Sequence, residues 1–159
     1  MSVGPVGAGA AGGAFGFSHP HAAHSQPGSF DSVGGTASAT WFRQQQSAFT
    51  DSGVLKAIRN GALGAIAVCY IEFAGSGQVR QVLDWSVIRD EGSAQDFAGR
   101  IAEAPRSAYG FTAIGAGVDR AVQAFAQGGF SGGKRVIDVS GDGTNNSGRS
   151  VDQARDEAL

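Results

Sequence analysis

The residues best suited to chemistry lie late in the chain, in the segment 135–148. A mostly apolar run from Val136 to Val139 passes directly into a loop that carries Asp142. The run is short and rich in β-branched residues, which predicts a buried strand. Gly141 and Gly143 allow the backbone to turn sharply on either side of the carboxylate. Ligands of open α/β sheets collect beyond such strand ends, so we expect any chemistry to reside in this loop.

Thr112 is a second candidate ligand, at the mouth of a helix predicted to begin at Ile114. A parallel sheet would bring the loops of Thr112 and Asp142 to one edge. Magnesium prefers six oxygen ligands and usually keeps several waters, so one hydroxyl and one carboxylate form part of a site but not all of it. Structural alternatives remain open, with Thr112 as a helix N-cap and Asp142 as a turn residue that bonds local amides.

The loop around Asp142 contains further polar and glycine residues that we expect to support it. They are Ser140, Gly141, Gly143, Asn145 and Asn146. The asparagines are predicted to be turn residues, because Asn tolerates left-handed backbone geometry. Asp138, Ser140 and Asp142 also resemble the start of an EF-hand calcium loop. Arg149 occupies the position of the bidentate glutamate, however, and a strand precedes the loop where a helix belongs, which disfavours that alternative.

Apolar periodicity predicts alternating helices and strands between residues 51 and 159. The elements are a helix capped by Asp51 or Ser52 and ended by Gly61, a buried strand over 65–73, a half-buried or edge strand over 78–85, a helix with Ser93 and Asp96 as its capping box and Pro105 after it, a helix from Ile114 to Gly128, the Val136 strand, and a helix begun by Ser150 and Gln153. The short loop 74–77 predicts an antiparallel hairpin. Together these elements predict an α/β layer fold with parallel strands and one antiparallel member.

The N-terminal segment has a different composition from the rest of the chain. Asp31 is its only charged residue before Arg43, and Gly, Ala and Ser dominate. Such a segment buries too little apolar surface to offset the entropy of ordering it. We therefore predict a low-complexity or disordered segment over 1–43 and an ordered domain over 44–159. His19, His21 and His24 have chelating spacing but are interpreted as incidental to this tract.

Charge and hydropathy exclude several classes of partner. The net charge is −2, and Lys and Arg are scattered, so we expect no nucleic acid partner. No apolar run approaches the roughly 20 residues of a membrane span, and no signal peptide is visible. The single cysteine, Cys69, excludes an internal disulfide and is interpreted as a small buried apolar residue. The native compartment stays open.

From about Phe49 onward the chain resembles a family of uncharacterised bacterial proteins with a von Willebrand factor type A fold. The matching stretches are DSGVLKAIRNG from Asp51, GAIAVCYIEFAG from Gly64, FTAIG from Phe111 and VIDVSGDGTNNSGR from Val136. The resemblance implies a doubly wound, mostly parallel sheet with a metal-ion-dependent adhesion site at its carboxyl edge. Thr112 would then match the coordinating threonine, and Asp142 the aspartate that reaches Mg²⁺ through water.

The chain also departs from this family. The family's first strand ends in Asp-x-Ser-x-Ser, which supplies the main oxygen ligands, and no such motif precedes Phe49. That strand would be central in the sheet, and the family's later C-terminal strands are also not found before Leu159. We therefore expect an incomplete domain, from a truncated or frame-shifted reading frame, with weak or absent magnesium binding. Intact relatives could be exported.

The functional expectation is a protein-binding or adaptor module with a degenerate adhesion site, no catalysis and an unidentified protein partner. One alternative is a metal-assisted hydrolase using Asp142, for which Asp138 is the only nearby candidate base. The other alternative is a truncated product with no function of its own.

Overall fold

The computed structural model describes residues 12–18 (backbone only), 49–75, 77–105, 111–131, 134–139 and 144–159. Within these residues the chain is a mixed α/β protein with four helices and five strands. In chain order they are β1 (Gly12–Ser18), α1 (Ser52–Asn60), β2 (Ile66–Phe73), β3 (Val79–Ile88), α2 (Glu91–Glu103), α3 (Ile114–Gln127), β4 (Lys134–Arg135), β5 (Asp138–Val139) and α4 (Val151–Ala158). None of the helices described is both long enough and apolar enough to cross a membrane.

The predicted hairpin is confirmed, with β2 and β3 antiparallel. Its connection is tight, because the Ala74 amide donates to the Gln78 carbonyl (2.9 Å) and the Gln78 amide to the Gly75 carbonyl (2.8 Å). The sheet order is β3-β2-β1-β4, and β5 also pairs with β1. β1 is parallel to β2, β4 and β5. Gly12 pairs with Lys134 and Gly16 with Asp138, so 134–139 follows one continuous register.

The expectation that the fold lacks its central strand is wrong. Gly12–Ser18 lies between β2 and the segment 134–139, with parallel partners on both sides. The composition gave no sign of this strand because its glycine and alanine residues have little side-chain surface to bury. A central strand is also held by its backbone hydrogen bonds, which do not depend on side-chain type. The predicted domain boundary at 43 stays a prediction.

Two apolar cores flank β2, because its side chains alternate between the sheet faces. The α1–α2 core contains Leu55, Val68, Tyr70, Leu83, Ile88, Ala94, Phe97 and Ile101. The α3 core contains Cys69, Ile71, Phe73, Ala121 and Ala124, with Trp85 and Ile137 packed against them. β2 is therefore buried on both faces, as its continuous apolar sequence predicts.

The faces of β3 differ from the simple alternation. Simple alternation along 78–85 predicts that Leu83 shares a face with Val79 and Trp85, and this prediction is wrong. Leu83 packs in the α1–α2 core, whereas Val79 and Trp85 pack in the α3 core. The cause is a pair of register shifts opposite Tyr70, since extra residues in one strand of an antiparallel pair exchange the faces of the residues that follow.

Helix boundaries agree with the sequence better than helix caps do. Asp51 caps α1, with its carboxylate accepting from the Val54 amide at 3.0 Å. The α2 cap is Asp90, in a reciprocal capping box with Ser93, so the predicted pairing of Ser93 with Asp96 is wrong. Ser150 precedes α4 without a side-chain capping bond, which contradicts the capping box that Ser150 and Gln153 predict.

The Val136 strand is largely exposed, with only Ile137 of 134–139 partly buried, whereas a buried strand was predicted. Val136 and Val139 keep 36% and 37% of their accessible surface. The reason is their place in the sheet, because β4 and β5 lie at its edge and the described residues place no strand beyond them.

Candidate functional site

Thr112 lies directly before α3, at the carboxyl end of the sheet, and is only 3% exposed. Its amide donates to Asn146 Oδ1 at 2.7 Å. Its carbonyl accepts from the amides of Asn146 (2.9 Å) and Ser147 (3.1 Å). These three bonds join the segment before α3 to the loop before α4, so both loops hold a fixed position relative to each other.

Asn145 adds a second attachment between the same two segments. Its Oδ1 accepts from the Gly115 amide at 3.5 Å, and its Nδ2 donates to the Arg149 carbonyl at 3.0 Å. Both asparagines therefore anchor the loop through their side-chain amides. Asn145 thereby satisfies the Gly115 amide, one of the first-turn amides of α3 that have no intrahelical partner.

The loop before α4 also approaches α3 closely at Gly115. A Cβ atom at this position would lie 2.7 Å from the Arg149 carbonyl oxygen, so only glycine fits without movement. The Arg149 guanidinium lies 2.8 Å from Glu157 and 3.3 Å from Asp119. Through these two contacts Arg149, in the loop before α4, joins α3 to α4. The hydrogen bond to Glu157 and the charge of Asp119 raise the pKa of the Arg149 guanidinium, which favours its charged form.

The predicted site residues are only partly brought together by the described structure. Thr112, Asn145 and Asn146 converge, whereas Asp142 and the rest of its loop lie outside the described residues. Those remaining loop members are Ser140, Gly141 and Gly143. The alternative of Thr112 as an N-cap is wrong, because Ala113 is the cap residue of α3 and no side chain caps it.

The described oxygen donors do not by themselves fit a magnesium site. The side-chain oxygens of Asn145 and Asn146 already accept backbone amides. Among the residues that the structure describes, no group of three or more His, Cys, Asp or Glu could hold a metal ion. The described part of the site therefore shows no set of side chains that approaches the six oxygen ligands that Mg²⁺ prefers.

A family model described as "Protein of unknown function (DUF1194)" matches residues 42–159. The chain belongs to this family. The DUF1194 match includes Thr112, the loop before α4 and both faces of the β2–β3 hairpin, while β1 lies outside it. A comparison with curated proteins found no match, and a comparison with solved structures also found none.

Three further residues of the DUF1194 region belong to this end of the sheet, and the sequence reasoning did not select them. Glu72 is 2% exposed and is, besides Thr112, the only buried polar or charged residue among those described. In the sequence it stands out only as a single carboxylate in an apolar run. Phe111 is 65% exposed and lies against Gly75 at the end of β2. Arg149 was noted only as a misfit to a calcium loop. Nothing in the sequence distinguished Phe111 from a core aromatic residue.

Proposed function

We propose that this chain is a protein-binding or adaptor module with a von Willebrand factor type A-like fold, a degenerate metal-ion-dependent adhesion site and no catalytic role. The observation that carries the proposal is the pairing of an exposed aromatic ring, Phe111, with the buried Thr112 beside it. Hydrogen bonds from the loop before α4 hold the backbone of Thr112, the residue next to Phe111. An exposed aromatic residue at the edge of a ligand-binding fold is typical of a protein contact.

The sheet topology supports the fold part of the proposal. β1 has parallel partners on both sides, and helices cover both faces of β2. A parallel sheet covered on both faces is typical of doubly wound folds, which bind ligands beyond the carboxyl ends of their strands. Thr112 and Phe111 lie at that end.

The donor chemistry supports the degenerate state of the adhesion site. In an intact site of this type, Mg²⁺ presents an open coordination position to a carboxylate of the partner. In this sequence Thr112 and Asp142 are the only matches to the expected ligands, and the Asp-x-Ser-x-Ser motif is not found before Phe49. The side-chain oxygens of Asn145 and Asn146 already accept hydrogen bonds from backbone amides. We therefore expect recognition by this edge to depend on direct contacts.

The metal part is tested by calorimetric titration of the full chain with MgCl₂. We expect no saturable heat for the wild type, Asp142→Ala or Thr112→Ala. Asp138→Ala is the matched control, because Asp138 is an exposed carboxylate near the same strand end. Tight binding that disappears in Asp142→Ala and persists in Asp138→Ala would overturn the degenerate-site proposal.

The binding part is tested by selecting peptides from a displayed library against the full chain, with and without EDTA. We expect binders whose affinity is unchanged by EDTA and falls about tenfold or more in Phe111→Ala, as for other central aromatic contacts. Val54→Ala is the control, since Val54 is an exposed apolar residue on α1, 42% exposed. Binders lost equally in both variants, or only with EDTA, would contradict the proposed edge.

The absence of catalysis is tested by a hydrolase substrate screen with and without a chelator. We expect no turnover above the buffer rate. Turnover that the chelator and Asp142→Ala both remove would support the metal-assisted hydrolase instead.

A further inference from the structure

The chain between α2 and α3 is attached to the β2–β3 hairpin at both of its ends. Where it leaves α2, the Arg80 guanidinium donates to the Pro105 carbonyl oxygen at 3.3 Å. Where it reaches α3, Phe111 lies against Gly75, and a Cβ atom added to Gly75 would lie 4.0 Å from both Cβ and Cδ2 of Phe111. Gly75 is buried, whereas Phe111 is 65% exposed. One side of the Phe111 side chain therefore rests on the hairpin, and most of it remains accessible.

The end of the hairpin is a well-ordered support for these two contacts. Two backbone hydrogen bonds close its turn, from the Ala74 amide to the Gln78 carbonyl and from the Gln78 amide to the Gly75 carbonyl. The strand before the turn is buried, and Arg80 lies opposite Glu72 in the antiparallel pairing. Arg80 and Gly75 are therefore held in position relative to each other.

Arg80 suits the C-terminal end of α2 chemically. Ala104 is the cap residue of α2, and Pro105 follows it directly. The last carbonyls of a helix have no intrahelical partners, and this end of a helix carries a partial negative charge. A cationic donor is favourable there, and its hydrogen bond is stronger than one from a neutral donor. Arg80 thereby holds the point at which the chain leaves α2 toward Phe111.

We infer that Arg80 and Gly75 are positioning residues for Phe111, because the hairpin limits the positions that the Phe111 side chain adopts before a partner binds. The inference rests on the proposed function, which takes Phe111 as the contact residue. Thr112, the next residue, is held by three hydrogen bonds with the loop before α4, so Phe111 is attached on both sides. A side chain that is already restrained loses less entropy on binding, so the hairpin raises affinity without contacting the partner.

The position of Phe111 is tested without a partner, by fluorine NMR of the full chain with para-fluorophenylalanine incorporated at position 111. We expect a broad line in the wild type, because the ring tumbles with the protein, and a narrower line in Arg80→Met as the ring gains independent motion. Arg80→Lys keeps a cationic donor and should restore the broad line. Arg89→Met is the matched control, since Arg89 is an exposed arginine just beyond the other end of β3. Identical lines in Arg80→Met and Arg89→Met would overturn the positioning role of Arg80.

Gly75→Ala tests the second contact by adding to it. The new methyl group would meet Phe111 at 4.0 Å, an ordinary van der Waals distance, and Gly75 has no positive φ that alanine would strain. We expect the fluorine resonance to shift in Gly75→Ala and the line to stay broad. Gly77→Ala is the matched control, since a Cβ atom there would meet nothing within 4 Å. Equal spectra of the two alanine variants would contradict the contact between Gly75 and Phe111.

The effect on recognition is measured with a peptide that the library selection returns as a Phe111-dependent binder. We expect its dissociation constant to rise about threefold to tenfold in Arg80→Met, the range for losing the restraint on one side chain, and to recover in Arg80→Lys. The double variant R80M/F111A should bind no more weakly than Phe111→Ala, because Arg80 acts through Phe111. An equal loss from Arg80→Met in both backgrounds would overturn the inference, since Arg80 would then contact the peptide or act on the whole fold.

Failure of this inference and failure of the proposed function are distinguishable. A selection that returns no Phe111-dependent peptide contradicts the proposed function. Fluorine spectra that are unchanged in Arg80→Met and in Gly75→Ala contradict the positioning role, whatever the selection returns. Far-ultraviolet circular dichroism of each variant establishes that the fold is retained.

Discussion

Gly115 determines whether α3 and the loop before α4 can pack together. A methyl group there would approach the Arg149 carbonyl oxygen to 2.7 Å and the Arg149 Cγ to 2.9 Å. The nearer atom belongs to the backbone, which moves only if the loop leaves its anchors. We predict that Gly115→Ala lowers the free energy of unfolding by ~1–3 kcal/mol, the usual cost of overpacking, as measured by urea denaturation.

Gly99 is the matched control for this substitution. It also lies inside a helix, α2, but a Cβ atom there would meet nothing within 4 Å. Gly99→Ala should therefore stabilise the chain by ~0.5–1 kcal/mol, since alanine is the better helix former. If both variants were stabilised, the close approach at Gly115 would be contradicted.

At the scale of residues, the sequence predicts which residues precede helices or form turns, but not which residues they contact. The position of Thr112 before a helix and the turn character of Asn145 and Asn146 can be predicted from local pattern. The bond between Thr112 and Asn146 cannot, because it joins residues 34 apart in the chain and depends on how α3 and α4 pack. The exposure of Phe111 escapes prediction for the same reason.

The first turn of α2 is expected to depend on pH through Asp90. Hydrogen bonds from the side chain and then the backbone of Ser93 lower the pKa of this carboxyl from 3.8. A lowered folded-state pKa contributes stability that is fully present above pH 3.8 and is lost as the pH falls through the lowered value. Asp90→Asn keeps an equally good cap without the charge.

The corresponding measurement is urea denaturation of the wild type and Asp90→Asn at neutral pH and at several acidic pH values. We expect the wild type to be the more stable at neutral pH and the difference to vanish in acid. Asp96→Asn is the control, since Asp96 is an exposed carboxylate farther along the same helix. A stability difference independent of pH would show that the carboxylate of Asp90 is not the cause.

The central strand β1 gives a second prediction at the scale of elements. Proline at Gly16 would remove an amide from a strand that pairs with β2 on one side and β5 on the other. We predict that Gly16→Pro destabilises the fold by about 3 kcal/mol or more, as measured by thermal unfolding. If the variant unfolds like the wild type, the segment 12–18 is not held in the sheet in solution.

Elements were predictable where local pattern and packing agree. β2 and α3 are long enough, and apolar with a clear enough period, for their type and limits to follow from sequence. The register shifts in β3 could not be predicted, because alternation assumes one residue per pairing position. β1 could not be predicted because glycine and alanine give almost no side-chain signal, although their backbone pairs as well as any other.

At the scale of the whole molecule, the two cores formed by the described residues lie on opposite faces of the sheet. α1 and α2 pack on one face of β2, α3 packs on the other, and Arg149 ties α4 to α3. Layered folds of this kind are predicted by alternating helices and strands, so the general architecture followed from sequence. The arrangement makes β2 the element whose opening requires both cores to separate.

Cys69 reports this opening, because it is fully buried in β2 and is the only cysteine in the chain. Burial raises its pKa from 9.0 to about 12, so the reactive thiolate is scarce in the folded state. A raised thiol pKa also means that stability falls as the pH rises above 9.0, where the unfolded chain ionises first. Labelling should therefore require unfolding.

We predict that a disulfide reagent labels Cys69 at a rate that rises with urea along the same slope as the equilibrium unfolding transition. That equality follows if exposing β2 breaks both cores in one cooperative step. Labelling of the urea-unfolded chain at the rate of a free thiol is the control for reagent and pH. Fast labelling in native buffer, at a rate that urea does not change, would mean that β2 opens without global unfolding, and the two cores would then be separate units instead of one cooperative structure.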